Sequence, residues 1–190
     1  MVRCPASLAG RRPPPCVEGG GAIGALWDAH RRWRTARQLV PTDGWPGARF
    51  VLLHSLAHAL INELAIRCGY SSASIRERIY SRPPGEGLDP MAGLLLSAPD
   101  AEGTLGGLVS LGRSSELGPI ITAALERARL CSSDPLCSEH RATTSEDALH
   151  NAACHACLFL SETSCERGNR YLDRSALVDT FAGHGDAFFG

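Results

Sequence analysis

A chain of 190 residues with 44% hydrophobic and 21% charged side chains has the composition of a protein that folds around one core, which excludes a wholly disordered chain. Its net charge of -1 divides unevenly, with eight Arg against three acids before residue 50 and eleven Arg against seventeen acids after it. The chain as a whole is therefore no polyanion coat, and any affinity for nucleic acid has to be local.

Residues 1 to 21 combine Arg11-Arg12-Pro13-Pro14-Pro15 with Gly19-Gly20-Gly21, too polar and too rich in Pro and Gly to offset the entropy of ordering, and they read as a disordered tail. They do not resemble a secretory signal, because arginines and prolines stand where an apolar segment is required. The domain proper is expected over 22 to 190. A short helix from Ala22 to about Leu39 presents Leu26, Trp27 and Trp33 beside the densest basic cluster of the chain, Arg31, Arg32, Arg34 and Arg37. There Trp33 can stack on a base while the guanidinium groups hold phosphates, although clusters of this size are commonly solvated faces. Pro41 to Pro46 forms a turn.

Phe50 to Arg67 carries a wide apolar stripe (Leu52, Leu53, Leu56, Ala57, Leu60, Ile61, Leu64) ending at Gly69, the pattern of a long buried helix with a left-handed C-cap. It is also the nearest approach to a membrane span, but His54 and His58 interrupt its apolar run, so no membrane segment is expected. Ile75 to Tyr80 leans towards a strand in its C-terminal half, and Met91 to Ala98 reads as a short buried strand. The stretch Pro99 to Gly107 reads as a turn before a helix, a weak anion site through Gly103, Gly106 and Gly107 that Asp100 and Glu102 oppose. An amphipathic helix is expected over Leu117 to Leu130 and a last helix over Arg167 to Phe181. The fold class is α+β, mostly helical, with a small buried sheet and a C-terminal zinc-clamped loop and helix.

Five of the eight cysteines lie between Cys131 and Cys165, two of them as Cys154-His-Ala-Cys157. A two-residue spacer lets both thiolates bind one ion, and four sulfurs favour zinc. From the five, the expected ligands are Cys137, Cys154, Cys157 and Cys165, with Cys131 as the alternate. Four thiolates leave the site at a net charge of about -2, which Arg167, Arg170 or backbone N–H groups are expected to offset. Buried free thiols are the plainer explanation of any one cysteine, and a redox pair at Cys154 and Cys157 lacks the βαβ setting it needs. Without export features the thiols point to a reducing compartment, and a cytoplasmic location is expected. His54 and His58, four apart on a helix, share a face, and with Asp100 and Glu102 they define a rival reading as a metal-dependent hydrolase. The zinc-protease pattern is broken by Ser55, and two hydrogen-bonded core histidines are the simpler account.

Taken together, several motifs resemble a known family: Phe50-Val-Leu-Leu-His-Ser-Leu-Ala-His58, Cys68-Gly-Tyr70, Arg76-Glu-Arg-Ile-Tyr80, Asp100-Ala-Glu-Gly-Thr-Leu-Gly-Gly107, Cys131-Ser-Ser-Asp-Pro-Leu-Cys137, Ala153-Cys-His-Ala-Cys157, Glu162-Thr-Ser-Cys-Glu166, Asn169 and Leu172-Asp-Arg174. They look like the C-terminal domain shared by DrmB, a component of the DISARM antiviral defence system of bacteria, and by MrfA-type DNA-repair helicases. The resemblance covers about residues 22 to 190 and implies a helicase-associated zinc-binding module, and a closed shell of four cysteines, with no open position for water, points to a structural rather than an enzymatic role. The resemblance further implies a helicase subunit (DrmA-like) as partner, DNA as a possible ligand, and metal ligands drawn from Cys131, Cys137, Cys154, Cys157 and Cys165. DrmB-like proteins carry a long N-terminal region that has no counterpart here.

Overall fold

The computed structural model describes residues 21–69, 71–84, 89–98, 106–142, 148–182 and 187–190. Except for Gly21, the expected tail lies outside them, as do Asp100, Glu102 and Gly103. Five α-helices, α1 (Gly21–Ala36), α2 (Ala48–Cys68), α3 (Gly106–Leu111), α4 (Ser114–Ala128) and α5 (Leu136–Glu139), surround one antiparallel hairpin of β1 (Arg76–Tyr80) and β2 (Gly93–Ser97). The mostly helical α+β expectation holds.

The axis of the fold is α2. From Phe50 to Leu64 only Leu52 and Asn62 escape full burial, as befits a helix apolar around most of its circumference. One side packs against Ile120, Ala124 and Ala128 of α4 together with Ile75, Leu158, Leu172 and Leu177. The other meets Leu26 and Ala29 of α1, Ile79, Leu149 and Tyr171. By length and composition α2 is apolar enough to cross a membrane, contrary to the sequence expectation, yet 72% of its most apolar window is buried inside the fold. The helix stops at Gly69, whose φ of 68° is the left-handed cap that glycine adopts without penalty.

Glu63 ties α2 to α4. Its buried carboxylate accepts from Arg67 Nε at 2.7 Å and from Arg127 Nε at 3.1 Å. Burial alone would raise its pKa, but the two guanidinium groups hold it below the usual carboxylate range. A folded value below the unfolded one means stability that is present above the unfolded pKa and lost as pH falls through the folded value. Both arginines are substantially exposed, so Glu63→Gln should cost only about 1 kcal/mol at neutral pH. In urea melts at pH 7 and pH 3, the gap between native and variant protein should close at the acid end.

In the hairpin, Glu77 pairs with Leu96 and Ile79 with Leu94. The two-residue period puts Glu77 and Ile79 on the face against α2 and leaves Arg76 and Arg78 in solvent. The expected strand at Met91 to Ala98 shortens to β2. It is only half covered, with Leu95 exposed, because a two-stranded sheet has no second layer over its outer face.

The helix expected over Arg167 to Phe181 is replaced by turns and a 3-10 turn at Arg174–Ala176. Left-handed backbone at Gly168, Asn169 and Tyr171 breaks any helical ladder, and the freed N–H groups are satisfied elsewhere. Those of Arg167 and Asn169 donate to Cys165 Sγ, and that of Tyr171 donates to Leu149 O. The first helix likewise ends at Ala36, short of Leu39, where Gln38 takes a φ of 58°.

Candidate metal centre

Two straps bring four sulfurs together beside the C-terminal end of α4. The first runs from Cys131 to α5. Asp134 organises it, accepting from the Cys131 N–H through Oδ2 at 2.9 Å and from the Ser138 N–H through Oδ1 at 3.1 Å, while the Cys137 N–H donates to Ser133 O. The second strap is the Cys154–Cys157 turn. There the Cys154 carbonyl accepts from the N–H groups of Cys157, Leu158 and Phe159. Asn62 and His58 of α2 fix its far end by donating to Cys157 O at 2.9 Å and to Leu158 O at 2.7 Å.

The result is a group of Cys131, Cys137, Cys154 and Cys157 whose Sγ atoms all lie within 4.8 Å of one another. The separations are 3.5 Å for Cys131 to Cys154, 3.7 Å for Cys137 to Cys157 and 3.8 Å for Cys154 to Cys157. Zn–S bonds of about 2.3 Å in a tetrahedron put sulfurs roughly 3.8 Å apart, and these three separations fit the edges such an ion requires. All are free thiols.

The electrostatics fit a cation at the centre. Cys157 holds the Cys137 thiol down to about 5 by hydrogen bonding, with the Arg174 guanidinium helping against burial. In turn Cys137 and burial push Cys157 upward, and burial pushes up Cys131. Four sulfurs this close cannot all shed their protons unless a cation takes the protons' place. Arg174, fully buried, donates to Ala128 O at 3.0 Å, to Arg129 O at 3.1 Å and to the Asp134 carboxylate. Further relief comes from the Ser133 N–H on Cys131 Sγ at 3.4 Å and the Cys154 N–H on Cys157 Sγ at 3.3 Å.

Of the sequence-expected ligands, Cys137, Cys154 and Cys157 come together, and the alternate Cys131 completes the group. Cys165 does not join them. It lies across α2, with Sγ 3.2 Å from His54 Nε2, because the turn after it folds back onto its own sulfur. Nor do Arg167 and Arg170 approach the four sulfurs; they sit over the rings of Phe50 and Trp33. The screening charge is Arg174, which sequence reasoning missed.

A model of the MrfA Zn-binding domain matches residues 56–158. The chain belongs to this family. The matched range contains all four converging cysteines, and zinc is the ion that both the MrfA Zn-binding domain and the tetrahedral sulfur geometry specify. The DISARM protein DrmB of Bacillus paralicheniformis is 46% identical over 142 residues, which are 74% of this chain and 24% of DrmB. The chain thus spans about a quarter of the length of that curated relative.

The remaining sequence candidates are placed as follows. Arg31 of α1 and Arg37, just beyond its end, are on the surface, and Arg32 reaches Ala142 O at 3.4 Å. Arg34 is spent on Val40 O. The Trp33 ring is no bare platform, since Arg37 stacks over it at 4.2 Å and Arg170 lies 5.5 Å from its centroid. His54 and His58 meet a carboxylate, but it is that of Glu77, at 2.9 and 3.4 Å. All three side chains have no exposed surface.

Proposed function

We propose that this chain is a zinc-stabilised accessory module serving DISARM-type phage defence, where it works beside a DrmA-like helicase subunit and helps it engage DNA. The observation that carries the reading is the closed four-sulfur group. A fourth thiolate stands where a catalytic zinc would keep a water, so the metal's work is to hold the fold. Identity to DrmB supports the defence setting. The basic surface of α1, extended by Arg170, supports contact with nucleic acid through phosphates rather than through a stacked base.

Fluorescence anisotropy with labelled duplex DNA tests the DNA part. Four arginines on phosphates, Arg31, Arg32, Arg37 and Arg170, give a salt exponent of about -3 to -4, hence roughly 100-fold weaker binding between 50 and 200 mM salt. Replacing Arg31, Arg32 and Arg37 together with Ala should flatten that slope and abolish binding. A salt-independent affinity, or one unchanged in the triple variant, refutes the role of this surface. Co-purification with a DISARM helicase subunit tests the partner.

A further inference from the structure

The four groups His54, His58, Glu77 and Cys165 are buried, come from three separate parts of the chain, and place their ligand atoms within 4.8 Å of one another. They are distinct from the four-sulfur group and share no residue with it. Two of them, His54 and Cys165, lie outside the stretch matched by the family model.

The hydrogen bonding around the cluster is that of a ligand set. His58 Nδ1 donates to Leu158 O at 2.7 Å, and His54 Nδ1 faces Tyr171 O at 3.4 Å. This fixes the tautomer in which both Nε2 lone pairs point inward. Cys165 Sγ receives the N–H groups of Asn169 at 3.2 Å and Arg167 at 3.4 Å, as a thiolate would. Glu77 Oε1 accepts from the Glu166 N–H. Two imidazole lone pairs, a carboxylate and a sulfur thus converge on one point. His58 Nε2 and Glu77 Oε2 are buried without hydrogen-bond partners, an arrangement that an apolar interior disfavours.

A divalent cation resolves the arrangement. One thiolate, one carboxylate and two neutral imidazoles around Zn²⁺ sum to zero charge, the state a fully buried site favours. The contacts of 3.2 Å (His54 to Cys165) and 3.4 Å (His58 to Glu77) lie within about 0.4 Å of the roughly 3.4–3.6 Å edges of a mixed N, O and S tetrahedron, and that of 2.9 Å (His54 to Glu77) is about 0.5 Å shorter than such an edge. The Cys157-Leu158 strap reaches both groups, through Cys157 Sγ on one side and through Leu158 O on the other.

We infer that His54, His58, Glu77 and Cys165 form a second, structural zinc site that clamps β1 and the 165–169 turn onto α2. It does not depend on the reading of the four-sulfur group or on the defence role.

The test is made on the untagged 190-residue chain equilibrated in metal-depleted buffer with zinc supplied and then removed by gel filtration. Elemental analysis should find two zinc ions per chain, and Cys165→Ala should retain one. Zinc X-ray absorption on the native protein needs no variant: the two ions should share five sulfur and three nitrogen or oxygen donors, with imidazole scattering visible. One zinc per chain with an all-sulfur shell and no imidazole signal overturns the second site, as does a Cys165→Ala protein that keeps two. Should Cys165→Ala fail to fold, the native absorption spectrum decides. A lone zinc with the mixed shell would support this site while removing the metal from the four-sulfur group.

Discussion

Cys154→Ser is expected to abolish cooperative unfolding and lower the zinc content, and prolonged treatment with a strong chelator should do the same to the native chain. Cys154 is the hinge of the metal-binding turn: its sulfur lies 3.5 Å from Cys131 and 3.8 Å from Cys157, and its carbonyl holds three N–H groups of the strap. Serine keeps the shape but not the soft donor. Structural zinc sites contribute about 10–16 kcal/mol in small peptides, against a total stability of about 5–15 kcal/mol for a typical domain. The strap also carries Leu158 and Leu160 into the core around α2, so its release exposes apolar surface as well as sulfurs. Circular dichroism melts in the presence and absence of chelator make the comparison. A metal-free protein with an unchanged midpoint would show that the sulfurs are bystanders. Because the ligands must lose their protons, zinc should also dissociate on acidification, carrying the melt with it.

How far the molecule could be read from its sequence depends on how local the determining physics is. The span and burial of α2 follow from its apolar stripe and from Gly69, both contained in one segment. The Cys154–Cys157 spacing likewise declares a metal-binding turn within four residues. The choice of the other two sulfurs is a different matter, since Cys131 and Cys165 are separated by the path of the chain around α2, which no spacing rule encodes. Left-handed backbone at Gly168 and Asn169 decides it, turning Cys165 towards His54. Gly168-Asn169 signals a turn in the sequence, but not where the sulfur before it is sent. Glu77 was legible in principle: a two-residue period through Ile75 and Ile79 puts it on the buried face, where an acid needs partners. His54 and His58 share one helix face, as their spacing implies, and the carboxylate that the described residues bring to them is Glu77 of β1. Burial at that point makes the difference between a cleft for chemistry and a sealed cluster.

Arg174 carries the second large expectation. It is the bulkiest fully buried side chain among the described residues, and one guanidinium spans the end of α4, the Asp134 carboxylate and the neighbourhood of Cys137. Burial works against its charge, and Cys137 and Asp134 more than restore it. Arg174→Met, close in volume and without charge, takes the guanidinium donor from the carbonyls at the helix end and leaves the Asp134 carboxylate, still held by the Cys131 and Ser138 N–H groups, without its counter-charge. Breaking a buried pair in this way costs about 3–5 kcal/mol, and for a chain of this size the melting midpoint should fall by about 10 °C or more. Arg174→Lys keeps the charge but cannot serve two carbonyls and a carboxylate from one nitrogen, so it should recover only part of the loss. The decisive comparison adds Asp134→Asn. If Asp134 and Arg174 act as a unit, the double variant should be markedly more stable than the two single losses added together would leave it. Zinc affinity, measured by competition with a chromophoric chelator, should drop about 10- to 100-fold in Arg174→Met, because a sulfur group of charge near -2 has lost its nearest cation. A variant that melts lower yet binds zinc unchanged would confine Arg174 to the end of α4 and remove it from the metal's surroundings.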